Sequence, residues 1–182
     1  MHQGKYKDMT NVKIRKIEER DTQNILKWRN SEHVMSVFID RRPLTKEVHE
    51  NWLKNYVGTG KVVQYISYDA DNEIDFGSVY LRDIDSVNKK AEFGIFIGKT
   101  DYIGHGNGRN AAIQLIDIGF HEMGLNKIYA RILEYNKASY NMFMKLGFSQ
   151  DAFLREDVII DGKPINVYLV SILKKEWDKN GL

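Results

Sequence analysis

Three glycines alternate in Ile103-Gly104-His105-Gly106-Asn107-Gly108-Arg109, soon after a strand-like run, Glu92-Phe93-Gly94-Ile95-Phe96-Ile97, and directly before a helical pattern. No other stretch restricts the fold as much. A glycine-rich turn that opens a helix bares several backbone N–H groups, and the helix dipole adds partial positive charge there. Together they form a cradle for a pyrophosphate. Glycine suits it because a bulky side chain would hold the phosphate off the backbone. A tight turn without a ligand is the alternative. A dinucleotide-binding turn would read Gly-x-Gly-x-x-Gly after the first strand, and a nucleoside-triphosphate loop would end in Gly-Lys-Ser/Thr. Here the spacing is Gly-x-Gly-x-Gly, after the fourth strand, and Gly108 is followed by Arg109-Asn110. Both fit poorly.

The periodicities around this turn give the rest of the order. Residues 12–17 alternate apolar and basic, as a strand does. Asp21 is placed to cap a helix running to about Asn30, and Thr45 a second running to about Tyr56. Residues 31–44 between them, with Pro43, read as a loop or broken helix. Strands at 62–68, 74–81 and 90–97 make a meander with turns at 69–73 and 83–88. After the glycines, Ala112, Ile116, Gly119, Phe120 and Met123 share one helical face; Asn110, Gln114, Asp117 and His121 share the opposite one. Gly124 is suited to end that helix. A strand at 127–133, a short helix at 138–146 stopped by Gly147, and a hairpin of 153–160 and 165–173 around Asp161-Gly162-Lys163-Pro164 complete the chain. The order β-α-α-β-β-β-α-β-α-β-β implies an α/β fold on a mixed sheet.

Composition removes several classes. A chain of 182 residues fits one domain at 11–182 behind a polar lead-in at 1–10. With no cysteine there is no disulfide, thiolate zinc site or cysteine nucleophile, and such a chain suits a reducing, cytoplasmic setting. No metal is expected. The 27 Lys and Arg nearly balance 25 Asp and Glu, which argues against nucleic acid as a partner. No apolar run approaches the roughly 20 residues of a membrane span, and Met1-His2-Gln3-Gly4-Lys5 lacks the apolar core of a signal peptide.

The arrangement resembles the GNAT superfamily of N-acetyltransferases. Gly106 and Gly108 match the glycines of its Gln/Arg-x-x-Gly-x-Gly/Ala motif, with Ile103 where the polar residue is usual. The run Asn136-Lys137-Ala138-Ser139-Tyr140-Asn141-Met142-Phe143-Met144-Lys145-Leu146-Gly147-Phe148 is similar to its Asn-x-x-Ala/Ser-x-x-x-Tyr-x-x-x-Gly-Phe signature. The resemblance spans residues 12–174. It implies a mixed, mostly antiparallel sheet with a splayed strand pair and about four helices. It also implies acetyl-CoA as co-substrate. The 92–97 strand then splays from the 126–133 strand, the pantetheine arm enters the gap, and backbone groups of Phe96 and Ile97 pair with its amides. Gly94, on the face of Glu92 and Phe96, leaves room beside the thioester. The pyrophosphate rests on the N–H groups of His105, Gly106, Asn107, Gly108 and Arg109. Arg109 either adds charge or is a solvated helix-start residue. Asn136 binds a cofactor amide or an ordered water, or caps the short helix. Phe143 packs on the cofactor.

Amine acetylation needs a neutral nucleophile, a polarised carbonyl and a stabilised leaving thiolate. Glu92 is the candidate base, direct or through water; a glutamate paired with a lysine is the alternative. The resemblance places a proton-donating tyrosine at position 143, where this chain has phenylalanine, so Tyr140, water or unassisted departure takes over. Under the same resemblance the first two helices roof the acceptor, with Trp28, Arg29, Asn30 and His49 as binding residues beside Glu92; Trp28, His49 and Trp52 also suit a packed core. The run Trp28-Arg29-Asn30-Ser31-Glu32 is similar to the amino-sugar branch of the pseudaminic-acid pathway, and Arg29, Arg41 and Arg42 favour an anionic acceptor. The expected activity is acetyl transfer to a small-molecule primary amine, favoured on a nucleotide-linked amino sugar. Ribosomal-protein N-termini, polyamines, and non-catalytic acyl-CoA binding are the alternatives. A homodimer is an open assembly.

Overall fold

The computed structural model describes residues 10–180, so all but the last residue of the expected lead-in lies outside the described residues. Seven strands form one sheet in the order β1-β2-β3-β4-β5-β7-β6. They are β1 Val12–Lys16, β2 Val63–Asp69, β3 Ile74–Asp85, β4 Lys90–Ile97, β5 Lys127–Leu133, β6 Ser149–Ile160 and β7 Lys163–Leu173. Every pairing is antiparallel except β4–β5. A parallel pair needs a crossover, and helix α4, Asn107–Asp117, continued by a π turn at Ile118–Glu122, provides it. The remaining helices are α1 Thr22–Arg29, α2 Glu32–Met35, α3 Lys46–Trp52, α5 Lys137–Lys145 and α6 Lys174–Asn180.

The mixed sheet and its strand order along the chain match the sequence reading. The differences have local causes. Among the described residues there are six α-helices where about four were expected. One addition is α2, inside the segment read as a loop or broken helix. The other is α6, whose Trp177 is buried and lies 6.3 Å from the Phe120 ring. β3 runs on to Asp85 because the ladder absorbs an irregularity between Arg82 and Asp85, with Asp83 at φ +50°. The hairpin turn is tighter than the four residues read from sequence. Asp161 and Gly162, at φ +51° and +75°, make a two-residue turn, and Pro164 already pairs with Ile159. Asp21 precedes α1 but does not cap it. Its carboxylate takes Arg15 at 2.9 and 2.7 Å and the Glu18 N–H at 2.8 Å. Thr45 does cap α3, accepting from the Val48 N–H.

One sheet face packs Val79, Leu81, Phe93 and Ile128 against Ala111, Ala112, Leu115 and Ile116 of α4. The other packs Ile66 and Phe96 beneath Ile25, Trp28 and Val34 of the first two helices. At this second contact the backbone comes unusually close: a Cβ on Gly98 would stand 2.0 Å from Trp28 Cγ. Replacing Gly98 by Ala is expected to force the indole off its seat and to destabilise the fold by about 1–3 kcal/mol, read as a lower urea midpoint at unchanged slope. Parent-like stability would show that the indole has somewhere else to go.

Candidate active site

The β4–β5 ladder has only three registered pairs, Lys90–Lys127, Ala91–Ile128 and Glu92–Tyr129. Beyond Glu92 the strands diverge, while β4 stays paired to β3 and β5 to β7. The alternation of the ladder tells which backbone groups are left over. Gly98 N–H donates to Phe76 O on the β3 side, and Lys89 O accepts from Asn126 and Lys127 at the head of β5. With no register shift between residues 92 and 97, the N–H and C=O of Phe93, Ile95 and Ile97 point into the gap. This corrects the expectation for Phe96, whose backbone is used by β3 and whose side chain is buried against Phe38. Ile97 keeps its N–H for the gap, but its carbonyl accepts from His33 Nε2 at 3.1 Å.

The gap opens into a cavity of about 470 Å³. Its floor on the sheet is Gln64, Tyr80, Arg82, Glu92 and Gly94; α1 and α3 roof it with Ile25, Arg29, His49 and Trp52; Ala130, Asn136 and Phe143 line its far side. Glu92 is buried, and its Oε1 accepts from Arg82 Nη2 at 2.7 Å. The carboxylate partner is therefore an arginine directly across the ladder, rather than a lysine. Arg29 stacks on Phe38, 3.6 Å above the ring, with its Nη1 buried and without a hydrogen bond. Burial holds the Arg29 pKa below its ordinary value. His49 is also buried with Nε2 unpartnered, and burial lowers its pKa, which favours the neutral ring. Asp40, at the rim, is held down at about 2 by hydrogen bonding to Arg42.

The glycine turn lies outside this cavity, against the same strand. Gly104 and Gly106 have φ of +84° and +80°, and a Cβ on either would meet nothing within 4 Å. The left-handed backbone, not crowding, demands glycine there. Gly106 is the N-cap of α4, and Asn110 makes the first bond back to Gly106 O. The N–H groups of Asn107, Gly108 and Arg109 thus have no partner one turn back. The Asn107 side chain fixes the turn by donating to Tyr102 O at 3.0 Å. Gly108 rests on Ile95 and Ile97, placing the glycine turn beside the gap-facing edge of β4.

Several residues named from sequence are placed elsewhere. Trp28 is a buried core residue seated on Gly98. Asn30 holds Leu44 by both backbone groups, at 2.7 and 2.9 Å. Tyr140 stacks near Tyr168 and donates to Gln150 Oε1 at 3.1 Å, away from the cavity. Arg41 ties Ser36 O, Tyr135 and Asp161 together. Gly94 leaves room for the Tyr80 ring, which fills the space where its Cβ would stand. Asn136 lines the cavity but commits Oδ1 to capping α5 through the Ser139 N–H. Phe143 lines it too, edge-on to Phe93 at 5.6 Å. Sequence reasoning missed Tyr80 and Arg82. The signal was available in principle: in an antiparallel pair, opposite residues share a face, and the β3 residues opposite Gly94 and Glu92 are these two.

Comparison with known proteins agrees with this geometry. The family described as "Acetyltransferase (GNAT) domain" matches residues 11–149. The putative ribosomal N-acetyltransferase YdaF of Bacillus subtilis is 24% identical over 92% of this chain and 93% of its own length. The spermidine N(1)-acetyltransferase of Escherichia coli K12 is 27% identical over 91% of this chain and 88% of its own. The crystal structure of spermidine N-acetyltransferase from Vibrio cholerae in complex with CoA and spermine superposes with a TM-score of 0.85, at 23% identity, covering 91% of this chain and 97% of that one.

If the turn is a pyrophosphate cradle, acetyl-CoA raises the melting temperature, because a ligand that binds only the native state stabilises it. Gly106→Val cannot hold the left-handed N-cap without strain, so it is expected to melt below the parent without ligand and to show little of the rise that acetyl-CoA gives the parent. An undiminished rise in the variant would place the cradle elsewhere.

Proposed function

Because the chain belongs to the GNAT acetyltransferase family, we propose that it transfers an acetyl group from acetyl-CoA to a primary amine held in the cavity beneath α1 and α3. The observation that carries this reading is the parting of β4 from β5 at Glu92, which leaves unpaired backbone groups facing a cavity that contains a buried carboxylate. Bound acetyl-CoA supplies the activated acyl group. The chain supplies the rest. Phe93, Ile95 and Ile97 offer β4 N–H groups that hold the pantetheine arm like an added strand and polarise the acyl carbonyl. The N–H groups from His105 to Arg109 hold the pyrophosphate. Glu92, oriented by Arg82, takes the amine proton directly or through water.

The acceptor is read from the cavity's charges. Glu92 is paired with Arg82, Asp40 with Arg42 and Arg131 with Asp157, leaving Arg29 as an unpaired arginine in the lining. Such a guanidinium calls for an oxygen acceptor on the substrate. The relatives named above are a ribosomal N-acetyltransferase and spermidine N-acetyltransferases. A protein N-terminus carries carbonyl oxygens next to its amine, so it suits both the relatives and Arg29. A polyamine carries only cations and donors, and Arg29 disfavours it. A nucleotide-linked amino sugar also suits Arg29, but no relative named above acts on one.

A screen of thiol release from acetyl-CoA with N-terminal peptides, nucleotide-linked amino sugars and spermidine tests the reading. Glu92→Gln is expected to lower turnover by on the order of 10²–10⁴-fold at nearly unchanged acetyl-CoA affinity. Parent-like turnover would make Glu92 structural. Arg29→Gln should weaken binding of an oxygen-bearing acceptor by about 1.5–3 kcal/mol and leave spermidine unaffected or improved; the opposite pattern would favour the polyamine. A protein that binds acetyl-CoA yet releases no thiol with any amine would be an acyl-CoA-binding protein and not an enzyme.

A further inference from the structure

Tyr80 stands opposite Gly94 in the β3–β4 register. Its ring crosses the neighbouring strand: a Cβ placed on Gly94 would lie 2.1 Å from Tyr80 Cζ and 2.4 Å from Oη. Adjacent strands are about 4.8 Å apart, so a tyrosine reaching over the next strand brings its hydroxyl toward that strand's far edge. The far edge of β4 beyond Glu92 is the one that β5 leaves open. Tyr80 lines the cavity. Among the described residues its hydroxyl has no hydrogen-bond partner; the charges around it are Arg29, Arg82, Glu92 and Asp83. Burial pushes its pKa up, so it remains a protonated phenol at neutral pH.

The usual source of a leaving-group proton is missing from α5. Phe143 has no acidic group, and the Tyr140 hydroxyl is engaged with Gln150. Tyr56, the other tyrosine in the lining, stacks on Trp52 at 5.1 Å. We propose that Tyr80 is a catalytic residue, the acid that protonates the departing sulfur, supplied from β3 across Gly94 instead of from α5.

This role rests on the acetyl-transfer reading. As the amine lone pair forms the new N–C bond at the acyl carbon, the C–S bond breaks and its electron pair leaves on sulfur. That sulfur takes the Tyr80 hydroxyl proton. Glu92 takes the surplus proton of the amine, and solvent in the cavity then removes that proton and returns one to Tyr80. Gly94 acquires a reason within the same mechanism: any side chain there would push the phenol off β4.

The test measures binding of CoA and of desulfo-CoA, its analogue without sulfur, by calorimetry at pH 9.5, where a substantial share of the coenzyme thiol is ionised. The parent protein and Tyr80→Phe, which keeps the ring on Gly94, are compared. The parent is expected to bind CoA roughly tenfold tighter than desulfo-CoA, as a charge-assisted hydrogen bond to sulfur provides. Tyr80→Phe should bind desulfo-CoA as the parent does and lose the preference. With an amine that the parent acetylates, the variant should also lose kcat by on the order of 10²-fold at constant KM for acetyl-CoA. A preference that is equal in both proteins, or absent from the parent, overturns the proposal, as does a variant kcat within about twofold of the parent's at pH 7. If the parent binds neither coenzyme, the donor reading fails first and this role falls with it. If the parent binds and transfers acetyl normally while Tyr80→Phe matches it, only the role of Tyr80 is lost.

Discussion

β4 and β5 share a ladder for three residue pairs and then part, although each remains paired on its other side. Buried backbone N–H and C=O groups left without partners cost about as much as lost hydrogen bonds, so the edges beyond Glu92 need water, a side chain or a ligand. His33 meets one of these needs at Ile97 O. The remainder of the fold keeps the gap from closing. β7 holds β5 along its whole length, from Lys127–Leu173 to Leu133–Val167. α5 begins four residues after β5 ends and brings Phe143 against Phe93. α4 packs on the opposite sheet face and sets its glycine turn on Ile95 and Ile97.

The chemistry of the cavity follows from cross-strand pairing on β3 and β4. Opposite residues share a face, so Arg82 meets Glu92 and Tyr80 meets Gly94. The first pair places a carboxylate at the point where the strands separate and orients it with a guanidinium. The second lets an aromatic ring lie across a strand that no larger residue would have left open. Roofing helices α1 and α3 add half-buried Arg29 and buried His49, each with a buried nitrogen that has no partner. These differ in kind. His49 is a neutral ring that burial makes harder to charge, whereas Arg29 carries its charge into a lining where the other arginines already have carboxylate partners.

Much of the fold could be read from short-range signals. The strands at 90–97 and 127–133 agree with the sequence reading at both ends because the second alternates and the first is a short, largely apolar run of strand length that follows a turn. Gly124 and Gly147, at φ +69° and +89°, follow helices where the backbone turns left-handed. α6 was not legible, since Trp177 becomes a core residue only once Phe120 is beside it. Asp21 looked like a helix cap because the residue type and position fit, but Arg15 on β1 competes for the same carboxylate and holds it with two bonds.

The candidate site divides in the same way. The sequence by itself determined the left-handed glycine turn before α4, the presence of Glu92 on a strand that flanks it, and the absence of a phenol at position 143, because each depends on residue identity and on neighbours a few positions away. Only the tertiary structure decided that Trp28 and Asn30 serve packing and α1's end, that Tyr140 turns to Gln150, and that Phe93, Ile95 and Ile97 present the free backbone edge. It also decided that Tyr80 reaches the place Gly94 leaves vacant. These outcomes depend on which distant elements lie side by side, and for Tyr80 on the register too: a one-residue shift of β3 would have turned its ring away from Gly94 to the other face of the sheet.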